Sequence, residues 1–464
     1  MKIKFLGGVK SVTGSHHLIE VKGNNFLLDC GLFQGKRQEA RLFNENPKVD
    51  LSKLEAVVLS HAHIDHSGNI PTLSRLGFKK HIYSTLATYD LSNAMLRDSA
   101  YIQEKDTEFL NKRLKKKKKP LLSPLYTIED AERALGLFMG IGYHKVFSLS
   151  QEVKVEFFDA GHVLGSSLIL LEITEDTVRP KRLGYILDLG RQNLPFLKDP
   201  EFIPDLDYII IESTYGNRLH PEFSEVKKEL ADLINRTFKR KGKIIIPAFA
   251  LERTQEIIWC LSDLWNKGMI PAIPVYVDSP LAINITEIFR LHPDCFDART
   301  KNMLLMGRDP FGFENVVYTR SKEESQALND LKKPAIIISA SGMCENGRIL
   351  HHLRHNIENP KNTILIVGYM AQDTLGRKIV EKEKKVKIFG EEYRLKAEVV
   401  IMNAFSGHAD RNDLLKYVRR TKESVKKVFV VHGDPDQSEA LAEGIKEVGV
   451  DNVYVPEVGD EAEL

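Results

Sequence analysis

Between residues 59 and 69 the chain reads LSHAHIDHSGN, which sets His61, His63, Asp65 and His66 directly after the apolar run EAVVLS. Residues two apart in an extended chain point to the same side, so His61 and His63 can serve one cation. Asp65 and His66 follow where the chain turns into SGNIPTLSRLG, and they give the loop capacity for a second cation. The pattern differs from H-E-x-x-H, in which one helical turn presents two histidines and a glutamate base. Neutral imidazole nitrogens and carboxylate oxygens suit Zn²⁺ or another borderline divalent ion. One loop cannot complete two coordination shells. Further donors stand at similar strand ends: His162 in DAGHVLGSS, Asp188 in YILDLGR and His432 in VVHGD, each in a turn beside glycine. Two divalent cations with two carboxylates and a hydroxide keep residual positive charge, which favours an anionic phosphodiester. Two metals about 3.5–4 Å apart can activate a bridging water and stabilise the phosphorane oxygens. The expectation is a two-metal hydrolytic centre.

The elements that would position these donors recur along the chain. EAVVLSHAHIDH, YIIIESTYGN, KIIIPAFALERTQ, AIIISASGM, ILIVGYMAQ, VVIMNAFSGHAD and VFVVHGD each run from a β-branched stretch into glycine, serine or histidine. They read as buried strands whose carboxyl ends carry the chemistry, as in α/β proteins. Earlier stretches such as IKFLGG, HHLIEVKGNNFLLDCG, VKVEFFDAGH and SSLILLEI look like hairpin-linked strands with few helices between them, a packed β-layered region. From about Pro204 to about Gly390 strands and helices alternate as in a doubly wound unit, after which segments ending in His408 and His432 return to strands. That order suggests an inserted domain. KRLKKKKKPLLSP, residues 112 to 124, is the one biased stretch and reads as a solvated face or mobile loop, with phosphate contact as the alternative.

Size and composition bound the class. The chain has 464 residues, natural for two domains, and 42% hydrophobic content, ample for large cores. A net charge of +2 gives no general polyanion signal, so any basic surface must be local. Cys30, Cys260, Cys295 and Cys344 form no C-x-x-C pair, which argues against a disulfide framework and a thiolate zinc site and fits a reducing cytoplasm. No run approaches the roughly 18 apolar residues of a membrane span, and the N-terminus carries no export pattern. Cytoplasmic localisation without a membrane partner is the expectation.

With H-x-H-x-D-H, the stretches LLDCGLFQG, GHVLGS, LDLGR and VHGD resemble the metallo-β-lactamase fold. IIESTYGNR, IPAFALERTQE, YVDSPLA, SASGMCENGRILHHL, GYMAQDTLGRKI and FSGHADRNDLL resemble its β-CASP branch, which includes the endonuclease subunit of the pre-mRNA cleavage and polyadenylation factor and bacterial and archaeal homologues. The resemblance spans nearly the whole chain. It implies an α/β architecture: an αββα metallo-β-lactamase sandwich in residues 1–204 and 391–464, with a doubly wound β-CASP domain inserted at 205–390 and the active site in the cleft between them. It also implies two Zn²⁺, one held by His61, His63 and His162, the other by Asp65, His66 and His432, with Asp188 bridging and Asp29 orienting the loop by hydrogen bonds. Asp65, Glu212 and His408 would be catalytic, the Glu–His pair holding a protonated imidazole for the leaving oxygen.

Members of the family that act on RNA resemble this chain in having histidine at the position of His432. Single-stranded RNA is therefore the expected partner. Ser341, Gly342 and Met343 form a strand-to-helix turn whose amides can receive phosphate, with a helix N-cap as the ordinary role of Ser341; Arg253, Arg377 and Ser406 are further contact candidates. Two positions depart from the family pattern: Leu187 stands before Asp188, where a small residue is common, and Glu252 adds negative charge where glycine is common. The expected activity is endonucleolytic cleavage by a metal-bridged hydroxide, leaving a 5′-phosphate and a 3′-hydroxyl. A 5′-to-3′ exonuclease is the close variant. A non-catalytic RNA-binding assembly subunit and a hydrolase of small thioesters or lactams are the other classes weighed, and a homodimer is compatible with the resemblance.

Overall fold

The computed structural model describes residues 1–175, 179–221, 223–368, 370–371, 374–402 and 405–464. The chain divides into two units, one of Met1–Gln192, Asp199–Leu219 and His408–Leu464, the other of Asn193–Lys198 and His220–Gly407.

In the first unit the strands pair into two seven-stranded sheets. One runs in the order Glu461–Glu463, Lys2–Gly7, His16–Val21, Asn24–Leu28, Leu54–Val58, His81–Thr85, Phe138–Ile141. The other runs Val453–Tyr454, Lys427–Val431, Tyr208–Glu212, Lys181–Ile186, Ser167–Ile173, Val153–Asp159, Phe147–Ser148. Alternation with a period of two decides what each face meets. Phe26, Leu28 and Val58 of the first sheet share a core with Ile169, Tyr185, Ile210 and Phe429 of the second, so the sheets pack face to face. Their odd-man neighbours point outward: Leu27 and Val57 pack on Leu73, Leu96 and Ala131 of helices Ile70–Arg75, Leu86–Lys116 and Ile128–Leu135. Ile209, Ile211, Val428 and Val430 likewise pack on Leu414, Val418 and Leu441 of helices Arg411–Thr421 and Pro435–Val448. The result is a four-layered helix–sheet–sheet–helix sandwich.

The second unit carries a six-stranded, wholly parallel sheet in the order Val316–Tyr318, Val275–Val277, Ile336–Ser339, Ile244–Pro247, Thr363–Ile366, Glu398–Ile401. The chain winds to both sides of Ile244–Pro247, as a doubly wound sheet requires.

Three features differ from the sequence reading. Strand Tyr208–Glu212, expected in the insert beginning at 205, lies between Lys181–Ile186 and Lys427–Val431 in the first unit. Strand Glu398–Ile401, expected in the returning segment from 391, pairs with Thr363–Ile366 in the second. Residues 193–198 also belong to the second unit, where Phe196 packs against Phe289 and Phe311 with ring centroids 6.0 and 5.5 Å away. Apolar runs of equal length announce strands but not the neighbour each will pair with. The β-layered region also contains a 31-residue helix, Leu86–Lys116, started by Thr85 accepting a hydrogen bond from the Thr88 amide. The lysine-rich stretch is the last turn of that helix and the turn after it.

Candidate metal centre

All the expected ligands lie in the first unit, on loops at one rim of the sandwich. His61, His63, Asp65 and His66 follow Leu54–Val58, and a four-residue helix, Ile64–Ser67, turns Asp65 and His66 back toward the two earlier histidines. His162 sits in the turn between Val153–Asp159 and Ser167–Ile173, Asp188 just beyond Lys181–Ile186, and His432 just beyond Lys427–Val431. Two glycines let these loops touch. A Cβ on Gly31 would stand 1.6 Å from the Asp65 carbonyl oxygen, and one on Gly190 would stand 2.1 Å from that of Gly161. Asp29, Asp188 and His432 all hold positive φ, 58°, 47° and 48°. Such strain at non-glycine residues persists only where the surroundings enforce it.

The donor atoms form two groups. One atom each from His61, His63, His162 and Asp188 lie within 4.8 Å of one another, as do atoms of Asp65, His66 and His432. His61 Nε2 and His63 Nδ1 are 3.1 Å apart, and His162 Nε2 is 3.4 Å from the same His63 nitrogen. On the other side His66 Nε2 and His432 Nε2 are 3.1 Å apart, and Asp65 Oδ2 lies 3.9 Å from His432 Nε2. Asp188 divides between them: Oδ2 is 3.3 Å from both His61 Nε2 and His162 Nε2, while Oδ1 is 3.3 Å from His66 Nε2.

A fixed hydrogen-bond chain aims the rings. Asp29, fully buried, accepts from the Ser60 amide at 2.7 Å, from His66 Nδ1 at 2.7 Å, from the Ser60 hydroxyl at 2.9 Å and from the Tyr185 hydroxyl at 2.9 Å. Because the Ser60 hydroxyl donates to Asp29, it accepts from His61 Nδ1, 3.0 Å away. Both rings thereby carry their proton on Nδ1 and turn Nε2 inward, the arrangement that orients metal-binding histidines. Thr214 Oγ1 lies 3.3 Å from His432 Nδ1 and does the same for that ring.

The electrostatics fit bound cations. Burial, and then the neighbouring His61, lower His63 to about 3. Burial and His408 lower His162 well below its ordinary value, so both rings are neutral, with lone pairs to give. Burial disfavours charge on Asp188 too, yet His66, His432, His408 and His61 hold its carboxyl well below the usual range. For His66 burial is outweighed by Asp188 and Asp29, which raise it well above its usual value: positive charge is favoured here. Asp188 Oδ1 is buried and, among the described residues, accepts no hydrogen bond. Cys30, the nearest thiol in sequence, is buried against His16 Nε2 at 3.3 Å and burial pushes it far up, so thiolate ligation has no part. The N/O donor set thus fits zinc-like divalent ions.

Glu212 and His408 come together beside these groups. His408 Nδ1 donates to Glu212 Oε2 at 3.0 Å, and its ring lies 4.5 Å, centroid to centroid, from that of His162. A β-bridge between Gly190 and His408 fixes the histidine's backbone. Asp188, Glu212 and His408 also have donor atoms within 4.8 Å of one another. That trio has a single imidazole. Burial would lower His408, but the Glu212 and Asp188 carboxylates push it up to about 9, so it keeps a proton where a ligand needs a lone pair. Leu187, expected to add bulk beside Asp188, points away into the buried core between the sheets.

The expected RNA-contact residues all fall in the second unit, at the carboxyl ends of adjacent parallel strands. A Cβ on Gly342 would meet the Phe249 ring at 2.9 Å, and the Gly376 amide donates to the Met343 carbonyl at 3.1 Å, which joins three of these loops. Ser341 caps no helix: the next helix, Ile349–Asn356, starts eight residues on with Arg348 as N-cap. Its Oγ instead accepts from the Glu345 amide at 3.2 Å. The turn therefore does not run directly into a helix, and its amides are not those of a helix N-terminus. Arg377 donates to Glu381 at 2.6 Å, Arg253 pairs with Glu256, and Arg253 also lies 5.9 Å from the Phe405 ring, next to Ser406. Glu252 is the N-cap position of helix Arg253–Asn266, with φ at 68°. Residues 369, 372 and 373 of GYMAQDTLGRKI lie outside the described residues. Sequence reasoning missed Ser60, Tyr185 and Thr214. Ser60 and Thr214 stand next to singled-out residues, and Tyr185 is an inward-facing strand position with a hydroxyl to satisfy.

A sequence model of the metallo-beta-lactamase superfamily matches residues 13–146. One of the Beta-Casp domain matches 254–379, and one of the Zn-dependent metallo-hydrolase RNA specificity domain matches 392–456. The chain is 35% identical over 445 residues to a ribonuclease of Thermus thermophilus, covering 95% of each. It is 32% identical over 446 residues to an RNase J-like protein of Methanocaldococcus jannaschii, covering 95% of this chain and 94% of that one. Transcription termination factor FttA of the same organism is 31% identical over 465 residues, 98% of this chain and 70% of that protein. A crystal structure of a protein of unknown function from Enterococcus faecalis V583 shares the fold, with TM-score 0.55 and 13% identity over 100% of this chain and 99% of that one.

Proposed function

The chain belongs to the β-CASP ribonucleases of the metallo-β-lactamase superfamily, a metal-dependent RNA-processing hydrolase, and from that premise we propose that it cuts single-stranded RNA internally with two zinc ions. The reading is carried by one observation: two donor groups share the two oxygens of Asp188, with a protonated histidine beside them. His61, His63 and His162 would hold one ion, Asp65, His66 and His432 the other, and Asp188 both. When bound, such ions lower the pKa of a water and neutralise charge on phosphoryl oxygens. The residues do the rest. Asp29, through Ser60 and His66, keeps the imidazoles aimed. Glu212 accepts from His408 Nδ1 and so leaves the His408 Nε2 proton free to go to the departing 3′ ribose oxygen, giving 3′-hydroxyl and 5′-phosphate ends. Arg253, Ser341, Gly342, Met343, Arg377 and Ser406 are assigned to RNA contact.

The test is to incubate zinc-loaded protein with 5′-labelled and internally labelled unstructured RNA, with His63→Ala and a matched DNA as controls. Internal fragments from the wild type alone are expected. Progressive release of mononucleotides would make it an exonuclease, and intact RNA with bound zinc would defeat catalysis altogether.

A further inference from the structure

Helix Leu86–Lys116 begins at the hydrolytic centre: the hydroxyls of Thr85 and Thr88 donate to the Gly165 carbonyl, at 2.6 and 2.8 Å, in the turn that carries His162. Its 31 residues extend about 45 Å from there at 1.5 Å per residue. Tyr101, Lys105, Phe109 and Arg113 are all exposed and each stands four residues on from the last, so successive ones are neighbours in a row that winds about 120° round the helix. The Lys105 ammonium lies 5.7 Å from the Tyr101 ring and the Arg113 guanidinium 4.6 Å from the Phe109 ring, so aromatic and cationic groups alternate. Tyr101 and Phe109 are 51% and 56% exposed, each ring covered in part by a cation of the same face.

Beyond Arg113 come Lys115 to Lys119, all exposed. Among the described residues, none of Lys112, Arg113 and Lys115 to Lys119 pairs with a carboxylate. Lys105 alone on the stripe has an acidic partner, Glu108 at 3.1 Å. The lysine-rich turn is fixed, because the Asn111 side chain donates to the Leu122 carbonyl at 2.8 Å and accepts from its amide at 2.9 Å. Cations at a helix C-terminus complement its dipole, but that favours only the last turn. It explains neither the aromatic rungs nor the lysines past the helix.

We propose that this face and the lysine-rich end form a track that docks the part of an RNA strand lying outside the hydrolytic centre, phosphates on the cations and bases on Tyr101 and Phe109. The chemistry is that of single-strand binding surfaces, a basic path with rings on which bases stack. It rests on RNA being the substrate. At about 3.4 Å per nucleotide of stacked strand, the far end is reached only by RNA extending roughly a dozen nucleotides from the cut.

Unstructured 8- and 24-nucleotide RNAs test it, as phosphorothioate-linked probes for binding and as ordinary RNA for cleavage. The full-length, zinc-loaded wild type is compared with an Arg113→Ala/Lys116→Ala/Lys117→Ala variant. The 24-mer should bind the wild type at least tenfold more tightly than the 8-mer, and the variant should lose that gain. Its plot of log K against log salt should be shallower by about 2, at ~0.7 per single-strand phosphate contact. Phe109→Ala should weaken 24-mer binding several-fold, and Phe109→Trp should restore it. Cleavage of the 8-mer should be unchanged in all variants. Equal 24-mer affinity and salt slope in wild type and triple variant would overturn the track. So would loss of binding to phosphatidylserine vesicles with RNA binding intact, which would make the face a membrane-docking surface. Wild type that cuts neither RNA would instead defeat the nuclease reading, whatever the length dependence of binding.

Discussion

Asp29 shows how much of the centre's geometry rests on one residue that would touch no metal. It accepts four hydrogen bonds, and two of them, from His66 Nδ1 and the Ser60 hydroxyl, decide where the ring nitrogens of His66 and His61 point. Asp29→Asn puts an amide N–H₂ where an imidazole N–H or a hydroxyl must donate. Partners of this kind govern metal affinity, so zinc should bind about 10–100-fold more weakly. Titration of the variant with zinc against a competing chelator measures this without reference to catalysis. Glu212 acts on the proton instead. Glu212→Gln removes the carboxylate that His408 faces across 3.0 Å, and cleavage should slow by about 10²–10⁴-fold, the worth of a positioned acid. Zinc content should stay the same, and single-turnover cleavage with metal analysis of the same sample separates the two effects. The H-x-H-x-D-H cluster was legible because all its donors fall within one turn of chain. Ser60, Tyr185 and Thr214 were not, since a hydroxyl's role depends on which carboxylate or ring the fold lays against it.

At the scale of elements, the parallel sheet of the second unit has its own buried polar anchor. Asp278, at the end of strand Val275–Val277, accepts from His352 Nε2 and the Ser325 hydroxyl, both at 2.6 Å, and from Arg348 at 2.7 Å. It ties that strand to helices Lys322–Ala327 and Ile349–Asn356. Burial would raise its carboxyl, but the hydrogen bonds from His352, Ser325 and Arg348 hold it below the usual range. A carboxyl depressed by folding contributes stability in full above its unfolded value, about 3.9, and loses it as pH falls through the folded value. Asp278→Asn should therefore cost about 3 kcal/mol near pH 6, the effect of breaking a buried charged pair. The difference from wild type should shrink below pH 4, and urea unfolding across that range reads it. YVDSPLA carried a family resemblance in the sequence. It did not announce this anchor, whose partners lie 47 to 74 residues away in sequence. The same limit explains the misplaced boundaries. YIIIE and EVVI look alike, but one lies inside a sheet of the sandwich and the other edges the parallel sheet.

At the scale of the molecule, every proposed ligand belongs to the first unit and none to the second. Metal should therefore stabilise the sandwich by mass action: one ion at 100 times its dissociation constant is worth about 2.7 kcal/mol. Chelation should lower the first unit's melting temperature by roughly 5–10 °C. His63→Ala should melt lower at the outset and respond less, which calorimetry with and without chelator would show. A sandwich with an insertion could be read from the order of strand types along the chain. Which residues the insertion comprises depended on Phe196 and on two strand pairings that no local pattern encodes. The placement of Lys427–Val431 beside Tyr208–Glu212 has a consequence in time as well as space. His66 and His432, nitrogens 3.1 Å apart, are separated by 366 residues. At the 5–20 residues per second of protein synthesis, about 20–70 s pass between the emergence of the first and the last donor. Throughout that interval the nascent chain, still tethered to its own messenger, holds the proposed centre incomplete, and the expected outcome is that RNA within its reach is spared until the donor at position 432 clears the ribosome.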